Sequence, residues 1–247
     1  MSDDETYQTI LEPDEWLAER VRIQAKTFPH KFRELQEGGQ LDDILRGPSR
    51  LPGRKLGQAP EEFTEQYLIE PILHGLGYLN PSSSKYTGEE PHFIREPLMG
   101  TKEEPLKPDY RLKNVAPSVM CVVEAKAANR EQTTGPKQAA TDDIREYMEN
   151  DVFSKFLRDD RRYLIGIGTD GLRWTLWMKD IKTGETREAI PKVDISLVIE
   201  RTAKRLDTIR GDTPLGRDVD RQKLLEEFIP AFATENLLSH IKTQFND

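Results

Sequence analysis

The chain reads as an α/β protein with extra helical segments at its N- and C-terminal ends. Two observations predict this class. Along the 247 residues the patterns run helix, strands, helix, strands, helices, with apolar residues at three- and four-residue steps in the helices and in short runs in the strands. Composition agrees. Hydrophobic residues make up 36% and charged residues 32%, polar for a globular chain, yet the apolar residues gather in periodic runs able to form a core.

Residues 1–20 are an acidic lead-in followed by a short helix. The first nineteen residues carry seven acids and no base, so no signal peptide is expected here. Residues 41–60, "LDDILRGPSRLPGRKLGQAP", form a connecting segment dense in Gly, Pro and basic residues. Its Arg46, Arg50, Arg54 and Lys55 read as a solvated linker, with contact to a phosphate backbone as the alternative. In "EEFTEQYLIEPILHGLGY", Phe63, Tyr67, Leu68, Ile72 and Leu76 recur with helical spacing. Pro71 predicts a kink or a tightened turn inside that helix, and Gly77 an end to it.

Residues 81–105 are rich in Pro, Ser and Gly, with "HFIREPL" as a short strand. "DYRLKN" (109–114) and "SVMCVVEAK" (118–126) are two further strands, and the short "VAP" between them predicts a hairpin. A helix runs from about Pro136 to Leu157, with Ile144, Tyr147 and Met148 on its apolar side. "RRYLIGIGTDGLRWTLWMKD" is strand, tight turn and strand, with Trp174 and Trp177 on opposite faces as packing residues. "KTGETREAI" continues the meander. From about Asp194 three helical segments follow, and there is no internal repeat.

Several function classes are excluded. A net charge of −8 argues against a protein coated by nucleic acid, although a local basic rim remains open. The single cysteine, Cys121, lies in an apolar run and reads as a core residue, so no disulfide framework or cysteine-rich metal site is available. His30, His74, His92 and His240 form no zinc-binding pattern; His92 reads as a surface or packing residue, with approach to the metal region as its alternative. No P-loop, serine elbow or dinucleotide fingerprint occurs. No uncharged apolar stretch approaches the ~18 residues of a membrane span. The expectation is a soluble cytoplasmic protein without a membrane partner.

One strand end carries the chemistry. In "SVMCVVEAK" side chains alternate, so Met120, Val122, Glu124 and Lys126 share one face while Cys121, Val123 and Ala125 take the other. Taken alone, "EAK" is a surface ion pair worth ~0–1 kcal/mol. Asp109 changes that weighing, because the hairpin carries it beside Glu124. The two carboxylates and a backbone carbonyl, that of Ala125, make an all-oxygen shell of the kind Mg2+ prefers. Lys126 is then placed to hold or polarise an attacking water.

"PDY…VVEAKA" resembles the PD-(D/E)xK nuclease motif, in the form found in the nuclease domains of type I restriction enzyme R subunits and related restriction enzymes. The resemblance covers roughly residues 61–180 and implies a restriction-endonuclease-like core with a central mixed sheet flanked by helices. It implies metal binding by Asp109 and Glu124 and water positioning by Lys126. A glutamate on the first core helix accompanies the family motif; Glu62 is the nearest match and Glu65 the competing one. "LIGIGTDGLRWTLW" is similar to the family's strand–turn–strand, with Thr169 to Gly171 as a structural turn. On the intervening helix the family's glutamine-led "QA..Y" is matched at Gln138 and Ala139, while Asp142 stands where the tyrosine belongs. Gln138 is thus a candidate for holding a phosphate or the lysine, and Tyr147 a weaker one.

The implied division is an N-terminal extension (1–60), a nuclease core (61–192) and a C-terminal helical segment (193–247). The implied function is a Mg2+-dependent endonuclease, with Mn2+ as substitute, acting on DNA in a restriction or phage-defence system. Lys85, Arg130 and Lys137 are candidates for a basic rim. A catalytically silent DNA-binding or assembly subunit and an RNA-directed nuclease are the alternatives. The partners expected are DNA, a second copy in a homodimer, and the motor, specificity or methyltransferase subunits of a larger restriction complex.

Overall fold

The strands are β1 (Phe93–Arg95), β2 (Met99–Gly100), β3 (Pro105–Leu106), β4 (Tyr110–Leu112), β5 (Val119–Ala125), β6 (Tyr163–Thr169), β7 (Arg173–Asp180) and β8 (Thr186–Asp194). Six of them form one mixed sheet in the order β1-β4-β5-β6-β7-β8, and β2 pairs with β3 in a separate ribbon. The structure, a computed structural model, describes residues 13–39, 60–79, 92–95, 99–100, 105–113, 115–128, 136–149, 162–206 and 220–245.

β5 and β6, the two most continuous apolar runs, are buried along their whole length at the middle of the sheet. They pair in parallel, and the other neighbours in this sheet are antiparallel. A parallel pair needs a crossover, and helix α4 (Pro136–Glu149) lies within it. β4 and β5 form the expected antiparallel pair, with Tyr110 opposite Val123 and Leu112 opposite Cys121.

The remaining helices are α1 (Pro13–Gln24), α2 (Thr27–Glu37), α3, α5 (Ser196–Leu206), α6 and α7 (Thr234–Phe245). α3 is continuous but changes pitch, with α-helix over Pro60–Thr64, π-helix over Glu65–Ile69 and α-helix again over Glu70–Gly75. Of the kink or tightened turn expected at Pro71, the tightened turn is corrected: the turn before the proline is widened. The Glu70 N–H bonds back to the Glu65 carbonyl, five residues away. A proline ring collides with the carbonyl four residues earlier and donates nothing, and a π turn relieves that collision without breaking the helix. α6 repeats the device, with π-helix over Leu224–Phe228 running into Ile229–Phe232 and a proline, Pro230, two residues past the wide turn.

The strand alternation sorts the two faces. Met120, Val122 and Leu164 lie under Ile144 and Met148 of α4. Cys121, Val123, Ala125, Ile165 and Trp174 face a larger core shared with α1 (Leu17, Val21), α3 (Leu68, Ile72), α6 (Phe228, Phe232) and α7 (Leu237, Ile241). Gly166 lets α4 sit close, since a Cβ there would come 2.5 Å from Ile144 Cγ2 and 2.6 Å from Met148 Cε. The helix continuing to Leu157, and the basic residues Arg46, Arg50, Arg54, Lys55, Lys85 and Arg130, fall outside the described residues.

Candidate metal centre

The β4–β5 ladder ends where its last pair, Tyr110 with Val123, gives way to Asp109 and Glu124. Pro108 has no N–H with which to extend the ladder. Asp109 fills the gap with its side chain, Oδ2 accepting the Ala125 N–H at 2.6 Å. On the opposite edge the Lys126 N–H donates to the Thr169 carbonyl at 2.8 Å. The end of β5 is therefore clamped from both sides, and Glu124 and Lys126 project from a fixed backbone.

The Thr169–Gly171 turn that supplies this anchor is closed by its own side chains. Thr169 Oγ1 accepts the Gly171 N–H at 2.8 Å, and Asp170 Oδ1 accepts the N–H groups of Leu172 and Arg173 at 3.0 and 2.7 Å. Gly171 has φ +79°, and a Cβ there would come 2.5 Å from Leu68 Cδ2, so the turn also seats α3. Its role is structural, as expected.

From one face α3 brings two glutamates. Glu61 and Glu65, four residues apart, share a side of the helix, and with Asp109 they offer ligand oxygens all within 4.8 Å of one another. This half-buried acidic cluster is a geometry compatible with divalent-metal coordination. Burial raises the Glu65 carboxyl to about 7, helped by Asp109 and Glu61 and opposed by the Tyr110 hydroxyl that donates to its Oε2 at 2.7 Å. Glu61 is raised by burial and by its acidic neighbours, against the pull of Lys126. Burial first, then Glu65 and Glu70, hold the Tyr110 phenol well above its usual range, so it stays a donor. Thr64 Oγ1 accepts the Ala128 N–H at 2.8 Å, tying α3 to the segment beyond β5.

From the other face α4 brings Asp143 and Tyr147, also four residues apart. The Lys126 ammonium lies 2.8 Å from Glu124 Oε1 and 3.0 Å from Asp143 Oδ2. Tyr147 donates to Glu124 Oε2 at 3.1 Å. The lysine–glutamate pair is asymmetric. Burial works against the Lys126 charge, but Glu124 and Asp143 outweigh it and hold the ammonium protonated. Burial and Asp109 raise Glu124 to about 7 despite Lys126 and Tyr147.

Comparison with protein-family models, with curated proteins and with solved structures gives no match.

Asp109, the Ala125 N–H, Glu124 and Lys126 lie at the same end of β5. Glu62 does not join them; it is exposed, about 100° around α3 from Glu61, while Glu61 and Glu65 face Asp109. The carboxylates that cluster are Glu61, Glu65 and Asp109, and Glu124 instead receives Lys126 and Tyr147. Gln138 and Lys137 lie in the first turn of α4, with side chains outside the described residues. Asp142 is exposed and pairs with Arg145. His92 Nδ1 sits 3.2 Å from the Gly77 carbonyl, beyond the C-terminal end of α3, while Glu61 is at the other end. Glu61, Tyr110 and Asp143 went unread. The i, i+4 repeat of Glu61 and Glu65 was a usable signal for the first; nothing local marks the other two.

Proposed function

We propose that the chain is a divalent-metal-dependent nuclease hydrolysing DNA phosphodiester bonds, with a restriction-endonuclease-like core of the PD-(D/E)xK type. The single observation that carries the reading is the convergence of Glu61, Glu65 and Asp109 beside the Glu124–Lys126 pair at the end of a rigid strand. The donors are all carboxylate oxygens, which suits a hard cation such as Mg2+ or Mn2+. Such an ion supplies charge neutralisation at a phosphate and an acidified water.

The chain's own residues do the rest. Glu61, Glu65 and Asp109 would hold such a cation, with Tyr110 orienting Glu65 and the Ala125 N–H orienting Asp109. The Ala125 carbonyl lies on the same strand edge as its N–H and supplies a neutral oxygen there. Lys126 donates to the attacking water or to a phosphate oxygen, stabilising charge that develops in the transition state. Glu124 holds the lysine. A restriction or phage-defence role fits, with motor, specificity or methyltransferase subunits, or a homodimeric partner, completing the machine. At net charge −8, grip on DNA comes from a local basic rim or from those partners rather than from the whole surface.

The test is nicking of supercoiled plasmid with Mg2+ or Mn2+. Wild type is expected to cut, and Lys126→Ala and Asp109→Asn to lose on the order of a hundredfold or more in rate. One observation favours a second reading, a catalytically silent DNA-binding or assembly subunit: both Glu124 oxygens are engaged within the protein. Metal binding without cleavage of any DNA or RNA, alone or with partners, selects that reading. Cleavage of RNA in preference to DNA changes the substrate and leaves the chemistry in place.

A further inference from the structure

We infer that Asp143 is a positioning residue for Lys126, aiming the ammonium at the reacting phosphate; the inference rests on the nuclease reading above. A lysine ammonium is a compact charge on a flexible four-carbon stem, with three donors and no intrinsic direction. Glu124 lies only two residues away, near the end of the strand that Lys126 follows, and its other oxygen is shared with Tyr147. A single acceptor of that kind leaves the stem free to swing. Asp143 supplies a second acceptor from a different element, 3.0 Å from Nζ. Two fixed acceptors define the orientation of the ammonium and direct the third donor away from both.

Asp143 can do this because its backbone is held. Ile144, its neighbour, and Met148 are buried against β5 and β6, with Gly166 allowing the close approach. Asp143 itself keeps 39% of its side chain exposed, whereas Lys126 keeps 20%. An ion pair with one end in water contributes little to stability, so its consequence lies in where the lysine points. The offset of the helix matters too. Asp142, at the position that the resemblance assigns to a tyrosine, faces Arg145 instead, and the next residue reaches the site.

The experiment uses the full chain cutting plasmid with Mg2+. Asp143→Asn, of equal size and at a half-buried position on a helix, is expected to lower kcat about 10- to 100-fold. KM for DNA stays unchanged. Asp143→Glu is expected to recover most of the loss. In a Lys126→Ala background the Asp143→Asn change is expected to add nothing, because both act through one ammonium. An unaltered kcat in Asp143→Asn, with wild type active, overturns the inference and leaves the nuclease reading standing. So does a loss that multiplies with that of Lys126→Ala, or one that appears in KM alone. A wild type that cleaves nothing overturns both.

Discussion

Glu65 is one residue at which the acidic corner works against stability. Its carboxyl, raised from 4.5 to about 7 by burial and by Asp109 and Glu61, holds a proton more tightly folded than unfolded. Stability from this group is therefore present below about pH 4.5 and is lost as pH rises through about 7. In metal-free protein, Glu65→Gln should become progressively more stable relative to wild type across that window, read from denaturant midpoints at a series of pH values. Added Mg2+ or Mn2+ should stabilise wild type at pH 8 and leave Glu65→Gln nearly unmoved. A midpoint difference independent of pH would contradict the assignment. Tyr110 makes a related prediction. Tyr110→Phe keeps the buried ring but removes the donor to Glu65, and should weaken metal binding about 10- to 100-fold in calorimetric titration. An unchanged affinity would show that the hydroxyl does not orient the ligand.

Among the elements, α3 and α4 decide the geometry. The apolar spacing of α3 was legible in Phe63, Tyr67, Leu68, Ile72 and Leu76, but its pitch was not. The π turn over Glu65–Ile69 shifts the helical phase of Glu61 and Glu65 relative to Ile72, and a uniform 3.6-residue reading misses that shift. α4 depends on a residue that it does not contain. Gly166 sits beneath Ile144 and Met148, and a methyl group there has no room. Gly166→Ala should lift α4 away from the sheet and carry Asp143 and Tyr147 with it. The expected result is a stability loss of about 1–3 kcal/mol, with cleavage falling further than the folded fraction does. Activity that simply tracks folded protein would separate α4 from the chemistry.

At the scale of the molecule, an aromatic cluster around Trp174 helps join the sheet to the C-terminal helices. Trp174 meets Phe228 edge-on at 5.3 Å and Phe232 at 5.6 Å, and its indole N–H donates to the Gly171 carbonyl at 3.2 Å. Trp174→Ala should cost about 3–5 kcal/mol in urea unfolding; a loss below 1 kcal/mol would mean the cluster contributes little. The same turn anchors β5 and seats α3, so the packing that stabilises the core also sets the corner where the carboxylates meet. No helix among the described residues is long and apolar enough to cross a membrane.

The sequence by itself determined the α/β class, the β4–β5 hairpin and the faces of β5, and it pointed to Asp109 lying near Glu124 and Lys126. Each follows from short-range periodicity and a short connection, which act within a few residues. It did not determine which helical carboxylates reach that corner, or what holds the lysine. Glu61 replaces Glu62 because of the phase of α3, and Asp143 arrives because α4 packs on Gly166. Those outcomes depend on contacts between residues distant in the chain, and only the packed molecule brings them together.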